Sequence, residues 1–307
     1  MISICIPFYN YPNEALLKGL INQIRKADFE HELIVIDDCS AESNRLNIDQ
    51  FGSALKYVQL EENIGRSRIR NLFLKYAKHP YLLFLDGDSE LVSDQFLSRY
   101  EEILRKQEDV SVICGRSIYP KEVPALKYRL RWMYGNQTES KSAQERNKQP
   151  YASFMTNNLV LKAELLKRIP FEEKLEGYGH EDTLMGFRLK AAKIPVMHID
   201  NPVLNAQPDK NSVFLSKTSQ ALSNLLEIQN SLDNSDHFIA QVKILRWLQF
   251  SKKLKLNSLL SLLEGLIGNT IRKKLEAQGG GLKLFAFWKL IVLASLEEEQ
   301  RKSAKKE

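Results

Sequence analysis

Two acidic motifs carry the side chains best suited to chemistry. Asp86-Gly87-Asp88 follows the apolar run Tyr81-Leu82-Leu83-Phe84-Leu85, and Glu181-Asp182 opens a segment with helical spacing. Residues i and i+2 of an extended chain point the same way, so Asp86 and Asp88 can converge on one ligand. Paired carboxylates suit a hard divalent cation, and such a cation suits a nucleoside diphosphate. Glu181-Asp182 can supply a base further along the same crevice. The chemistry that unites them is metal-assisted transfer from a nucleotide-activated donor.

Each motif also has a plainer explanation. Asp and Gly are the residues that ordinary turns prefer. Acids in a first helical turn cap the helix and complement its dipole. The lead-in Gly177-Tyr178-Gly179-His180 argues for more than a cap, because glycine lets backbone approach a bound sugar closely.

The elements that must position these residues alternate in type. Ile2-Ser3-Ile4-Cys5-Ile6 is an apolar strand closed by Pro7, and Leu33-Ile34-Val35-Ile36 is another, closed by Asp37-Asp38. A weaker strand spans residues 55–60, and others span 81–85 and 110–114. Between them Leu16, Leu17, Leu20, Ile21 and Ile24 recur at helical spacing, as do Ile69, Leu72, Phe73 and Tyr76, then Phe96, Leu97, Tyr100, Ile103 and Leu104. Strands separated by helix-length crossovers predict an α/β fold with a mainly parallel, doubly wound, Rossmann-like sheet. Ligands of such sheets bind outside the carboxyl ends of the strands, where Pro7, Asp37-Asp38 and Asp86-Asp88 are expected. Residues 120–150 read as a mobile loop or lid, and residues 181–192 as a helix. A late strand follows at 195–199. Beyond Ser212 the pattern is helical, broken at Gly279-Gly280-Gly281.

In this setting the motifs resemble those of the family-two glycosyltransferases of the GT-A fold. Ile4-Cys5-Ile6-Pro7-Phe8-Tyr9-Asn10 is similar to the family's opening strand. Val35-Ile36-Asp37-Asp38-Cys39-Ser40 is similar to its second-strand motif, and Asn63-Ile64-Gly65-Arg66 with Arg70-Asn71 to its third. Asp86-Gly87-Asp88 resembles the Asp-x-Asp metal motif, and Gly177 to Asp182 the acceptor-side Glu-Asp motif. The likeness covers about residues 1–220, which implies a GT-A domain over 1–220 and a helical C-terminal region over 221–307.

The resemblance implies roles. Pro7, Phe8, Asp37, Asp38, Asn63, Gly65, Arg70 and Asp86 would face the donor, a nucleoside-diphosphate sugar and by preference a UDP-sugar. Asp86 and Asp88 would hold manganese or magnesium. Where many relatives place a further histidine ligand this chain has Asn205, with His198 nearby as the alternative, and an amide oxygen is the weaker ligand for transition metals. Gly177, Tyr178, Gly179 and His180 would line the acceptor, a glycan or lipid-linked saccharide. Asp182 would be the general base and Glu181 would orient the acceptor. The reaction implied is inverting and non-processive. Polymer-extruding relatives carry Gln-x-x-Arg-Trp and membrane spans, whereas here Gln241 precedes Arg246-Trp247 by four residues. Asn205 also leaves open a catalytically silent relative that binds nucleotide sugar or glycan. A nucleotidyltransferase is disfavoured, because no glycine-rich basic phosphate loop lies near the first strand.

Composition sets the frame. Of 307 residues 43% are hydrophobic and 27% charged, close to the globular average, which excludes long disorder. Residues 201–307 hold 16 Lys and Arg against 10 Asp and Glu, so the whole net charge of +6 lies there. A neutral body with a basic tail, whose lysines include Lys252, Lys253 and Lys255, implies an anionic partner for the tail. A helical subdomain packed on the sheet domain with solvated lysines is the favoured reading, an amphipathic surface leaning on an anionic membrane is the alternative, and nucleic acid is not expected. Cys5, Cys39 and Cys114 lack metal-ligand spacing and read as thiols of a reducing compartment. A strand beginning at Ile2 leaves no leader peptide, and the most apolar stretch, 284–296, is short and interrupted by Lys289. These features predict a cytoplasmic protein, with a peripheral position on the inner membrane face as the alternative.

Overall fold

The computed structural model describes residues 1–107, 109–175 and 177–303. In chain order its strands and α-helices are β1 (Ile2–Phe8), α1 (Glu14–Ile24), β2 (His31–Asp37), β3 (Lys56–Gln59), α2 (Arg66–Tyr76), β4 (Tyr81–Leu85), β5 (Ser89–Leu91), α3 (Phe96–Lys106) and β6 (Val112–Ile118). Then come α4 (Arg129–Tyr134), α5 (Ala143–Asn147), β7 (Asn158–Lys162), α6 (Ala163–Arg168), α7 (Glu181–Ala191) and β8 (Met197–Asn205). Helices alone follow: α8 (Asn211–Ser231), α9 (Asp236–Gln241), α10 (Lys243–Lys253), α11 (Asn257–Leu263), α12 (Asn269–Gln278) and α13 (Leu282–Ser303).

The chain divides into two compact units. The first comprises Met1–Pro120, Glu139–Lys174 and Glu181–Gln207. Its eight strands form one sheet in the order β3-β2-β1-β4-β7-β6-β8-β5. Alternation along each strand divides the apolar residues between two faces. On one face Ile2, Ile4 and Ile6 pack with Leu16, Leu17 and Leu20 of α1 and Phe96 and Leu97 of α3. On the other, Cys5, Ile34 and Ile36 meet Ile69 and Phe73 of α2, Leu165 of α6 and Met185 of α7. Burying each such side chain contributes roughly 1.5–3 kcal/mol, and this holds the strand ends in place.

The parallel set expected from the sequence is present as β3-β2-β1-β4, together with the pair β6-β8. The rest of the sheet differs. β7 lies between β4 and β6 and runs antiparallel to both, and β5 runs antiparallel to β8. Four of the five β7 residues are buried, so its residues read as a continuous apolar run that carries no information on direction. The late strand also extends to Asn205, six residues beyond the expected end at Ile199.

The second unit comprises Lys121–Thr138, Leu175–His180 and Pro208–Glu307. Phe214, Leu215, Leu275, Phe285 and Trp288 form its core with Leu130 of α4. Phe285 stacks on Trp288 with ring centroids 6.0 Å apart. Gly279, at φ 73°, ends α12 in the left-handed conformation that glycine adopts without strain. Residue 220 falls inside α8.

Residues 120–150 are not the loop that their polarity suggested. They include α4 and α5, with Leu130 and Arg146 buried. Arg146 donates to the carbonyls of Gly115 and Ile199, and these bonds offset the desolvation of its charge. Among the described residues no helix is long and apolar enough to cross a membrane.

Candidate active site

The sheet order reverses between β1 and β4, and at such a switch point the loops that follow the two strands diverge and leave a crevice. Two asparagine side chains tie the loop after β1 to its neighbours. Asn13 caps α1 by accepting from the Leu16 amide at 3.1 Å. Its amide nitrogen donates to the carbonyls of Gly87 at 3.0 Å and Ser89 at 2.8 Å, which fixes the Asp-Gly-Asp turn against the loop after β1. A side chain at Gly87 would stand 3.2 Å from the Pro7 carbonyl, so this close approach favours glycine. Asn10, at φ 54°, accepts from the Ala41 amide at 2.8 Å and joins the loops after β1 and β2.

Asp37 and Asp38 are buried at the end of β2. Asp37 accepts from the Ser40 amide at 2.8 Å and from the Tyr57 hydroxyl at 2.6 Å. Asp38 accepts from the amides of Ile64 at 2.7 Å and Gly65 at 3.1 Å, at the start of α2. Burial raises the Asp38 pKa, the two amide bonds oppose the rise, and Asp37 adds to it. Asn63 donates to the Asp38 carbonyl at 3.1 Å, and Gly65 adopts φ 81°. Asp38, Asn63 and Gly65, three of the residues expected at the donor, are thus hydrogen-bonded together, while the neighbouring Asp37 holds Ser40 and Tyr57, so the two carboxylates shape the loops after β2 and β3. Of the remaining donor-side residues, Pro7 is half-buried and Phe8 belongs to the core.

Arg70 joins the two acidic motifs. Its side chain is buried, with one nitrogen 3.1 Å from Glu181 and the other 3.3 Å from Asp86. The guanidinium lies over the Phe171 ring at 5.7 Å, and Phe171 in turn meets Phe84 edge-on. On a helix face an arginine is ordinarily solvated, and only the fold shows that this one is enclosed. Arg66 approaches the same Glu181 oxygen at 4.0 Å.

The two neighbouring acids therefore differ in electrostatics. Burial favours a neutral Glu181, but the charges of Arg70 and Arg66 outweigh it and hold its pKa below the usual carboxylate value. Asp182 is pushed up to about 7, by burial first and by the Glu181 charge second. Its carboxylate accepts from the Thr183 amide at 2.6 Å, which only partly offsets the rise. A carboxyl group poised near neutrality is suited to accept a proton.

At the end of β4, Asp86 is half-exposed and Asp88 exposed. Burial and then the charge of Asp88 raise the pKa of the Tyr11 phenol, a neighbour of the acidic turn that no sequence motif marked. The β5–β8 register sets Asn205 opposite Ser89, the residue after Asp88. These hard oxygen donors fit a divalent cation. Among the described residues no three or more His, Cys, Asp and Glu side chains gather as a metal cluster. His198 does not join them. It is buried, its Nδ1 is 2.9 Å from Arg146 and its Nε2 2.8 Å from the Pro150 carbonyl, and burial lowers its pKa to about 4.

The segment expected to meet the acceptor lies in the second unit. Gly177, Gly179 and His180 all adopt positive φ, at 71°, 104° and 68°. A side chain at Gly179 would stand 2.5 Å from Ala221 of α8, which enforces glycine there. Gln220 accepts from the Tyr178 amide, and Asn224 donates to the Gly179 carbonyl at 3.2 Å. The two glycines thus have a structural reason within their own unit.

The family model for glycosyl transferase family 2 matches residues 3–166, more than half of the chain. The chain belongs to glycosyltransferase family 2. Among its family relatives, poly(ribitol-phosphate) β-N-acetylglucosaminyltransferase TarS of Staphylococcus aureus is 29% identical over 133 residues, 41% of this chain and 23% of TarS. The Escherichia coli enzyme WfgD, a UDP-Glc:α-D-GlcNAc-diphosphoundecaprenol β-1,3-glucosyltransferase, is 29% identical over 107 residues, 34% of this chain and 42% of WfgD. The matched segments therefore span less than half the length of either relative. Among solved structures, the mannosyltransferase PcManGT of Pyrobaculum calidifontis, in complex with GDP-Man and Mn2+, superposes with a TM-score of 0.57 at 15% identity. That match covers 96% of this chain and 86% of PcManGT. The TarS 1–349 structure in complex with UDP-GlcNAc gives 0.53 at 20% identity, covering 98% and 92%. These likenesses establish the GT-A fold for this family-2 chain.

Proposed function

We propose that the protein transfers a sugar from a nucleoside-diphosphate sugar, a UDP-sugar by preference, to a hydroxyl of a glycan or lipid-linked saccharide, with inversion and one addition per encounter. The observation that carries this reading is the buried Arg70 guanidinium, 3.1 Å from Glu181 and 3.3 Å from Asp86, which ties the two acidic motifs into one site, with Glu181 and Asp182 in unequal electrostatic settings. Asp182, poised near neutrality, takes the proton of the attacking hydroxyl. Glu181, held ionised by Arg70, orients the acceptor and is too firmly paired to act as a nucleophile, which favours single displacement over a covalent intermediate. Asp86 and Asp88, with Asn205 beside them, would hold a divalent cation, manganese or magnesium, which when bound neutralises the departing diphosphate. Asp38 and Asn63 shape the loop that receives the nucleotide, and residues 177–180 contribute to the acceptor side.

The relatives support the donor class. TarS has been crystallised with UDP-GlcNAc, and the name of WfgD specifies UDP-Glc and a diphosphoundecaprenol-linked acceptor. A cytoplasmic setting would place such a donor within reach. The decisive experiment is a thermal-shift screen of nucleotide sugars with and without divalent metal, followed by transfer assays with the best donor. A ligand that binds only the native state raises its stability. Stabilisation by one UDP-sugar in the presence of metal, with transfer lost in Asp182→Asn, is the expected result. Donor binding without any transfer or hydrolysis would replace the enzyme reading by a binding one.

A further inference from the structure

Most exposed large apolar residues of the second unit cluster in one stretch of chain. Along α10, Trp247, Phe250 and Leu254 are spaced i, i+3, i+7, and along α11 and the π-turn after it Leu259, Leu262 and Leu266 repeat that spacing. All six are between 51 and 68% exposed. The spacing puts each trio on one face of its helix. The opposite sides are satisfied. Leu245 and Leu248 are buried, and both helices contact α13. Asn257 and Ser258 donate to Glu298, and Lys252 pairs with Glu297. What remains outside is an aromatic and leucine-rich surface on an otherwise well-packed helical unit. Trp247 and Phe250 meet edge-on with ring centroids 6.1 Å apart.

The charge around this surface decides what it fits. Lys243, Arg246, Lys253 and Lys255 are exposed along the same stretch, and Glu264 is the lone acid from 243 to 268. A second copy laid on this face by a two-fold axis would set the same cations against themselves, which is unfavourable. An aqueous surface leaves the six apolar side chains wet. A negatively charged bilayer satisfies both, because leucine and aromatic side chains enter the acyl boundary while lysine and arginine reach up to the phosphates.

We infer that α10, α11 and the turn after them form an interfacial binding face for membranes rich in anionic phospholipid. Arg246, Lys253 and Lys255 meet the phosphates, and Trp247, Phe250 and Leu262 enter the lipid. Lys252 is excluded from this role, since its charge is engaged by Glu297. The inference stands on a different unit from the proposed chemistry, and its test needs neither donor nor acceptor.

The test is co-sedimentation of the purified chain with vesicles of phosphatidylcholine, with and without phosphatidylglycerol, at low and high salt. Wild type should pellet with the anionic vesicles only. Binding should weaken with salt, because charge attraction between exposed groups is screened over about 10 Å at 0.1 M. Arg246→Glu with Lys253→Glu should reduce partitioning at least about tenfold, and Phe250→Ser with Leu262→Ser should do likewise, with unchanged circular dichroism and melting temperature. The emission of Trp247 should shift to the blue on binding, a change absent from Trp247→Phe. Wild type remaining in the supernatant with anionic vesicles at low salt overturns the inference. So does binding by both double variants that equals that of wild type. A dimer in solution that Phe250→Ser with Leu262→Ser converts to a monomer assigns the face to a second copy and overturns it as well.

Discussion

The first unit hides charge and the second displays oil. In the first, Arg70, Glu181, Asp37 and Asp38 are all buried, each bound by partners drawn from distant parts of the chain. In the second, Trp247, Phe250, Leu262 and Leu266 are more than half exposed. Ordinary folding favours neither arrangement. Buried ions carry a desolvation cost, and exposed apolar clusters leave hydrophobic free energy unrealised. Under the function proposed and the binding face inferred above, each unit departs from the average where it would meet something outside itself, the one a small charged ligand and the other an extended surface.

The sharpest way to break the comparison is at Asp182. Asp182→Asn keeps shape but loses basicity, so turnover should fall about a hundredfold or more while donor binding persists. Steady-state kinetics with donor calorimetry reads both. Near-normal turnover would leave Asp182 as a helix-capping acid.

Next is Arg70, whose loss strands two carboxylates at once. Arg70→Ala should cost on the order of 3–5 kcal/mol in denaturant unfolding, the usual penalty for removing one partner of a buried pair. It should also raise the Glu181 pKa, since the largest opposing charge is gone. A cost below about 1 kcal/mol would mean that water reaches Glu181 and that the site is less enclosed than the structure indicates.

Third, Asp88→Asn should weaken metal-dependent donor binding by about tenfold or more while the melting temperature stays constant, because this exposed side chain supports no core packing. Isothermal calorimetry with and without metal distinguishes this from a general loss of affinity.

The pH dependence follows from Asp182 as well. A carboxyl group whose pKa is raised on folding, from the ordinary value of 3.8 to about 7, binds its proton more tightly in the native state. Its contribution favours the folded state below the unfolded value and is lost as pH rises through 7, whereas the proposed role as base needs the deprotonated form. Stability should therefore decline between about pH 4 and 7 as activity rises, and Asp182→Asn should flatten that part of the stability curve. Melting temperatures across this range provide the measurement.

The smallest effect belongs to the outer face. Leu262→Ser and Leu266→Ser should change stability by less than about 0.5 kcal/mol, as surface substitutions do, whereas Leu225→Ser in the core of α8 should cost about 2–5 kcal/mol. Large losses at Leu262 would show that the face is covered in solution.

Much of this was legible in the chain. Apolar strands that end in Pro7, Asp37 and Asp86 announce a parallel sheet and the edge where its ligands sit, because strand period and turn chemistry are local properties. The direction of β7 was not legible, since a strand buried on both faces looks the same read either way. Nor was the burial of Arg70, which depends on Phe171 and Glu181 arriving from a hundred or so residues away. Asn205 illustrates the middle case. Its departure from the histidine pattern was visible, but its place opposite Ser89 required the β5–β8 register. The pairing of Lys252 with Glu297 likewise separates it from Lys253 and Lys255, which the sequence treats alike.

Asn13 shows how one such long-range dependence is written into the chain. Its carbonyl oxygen receives an amide while its nitrogen serves two carbonyls beyond Asp86. Aspartate would retain the cap but turn its second oxygen toward the carbonyls of Gly87 and Ser89, replacing two attractions by two repulsions. Leucine would match the volume and satisfy none of the three. Position 13 is thus constrained less by the helix it begins than by a turn 74 residues later, and substitutions at the two places cannot be judged independently.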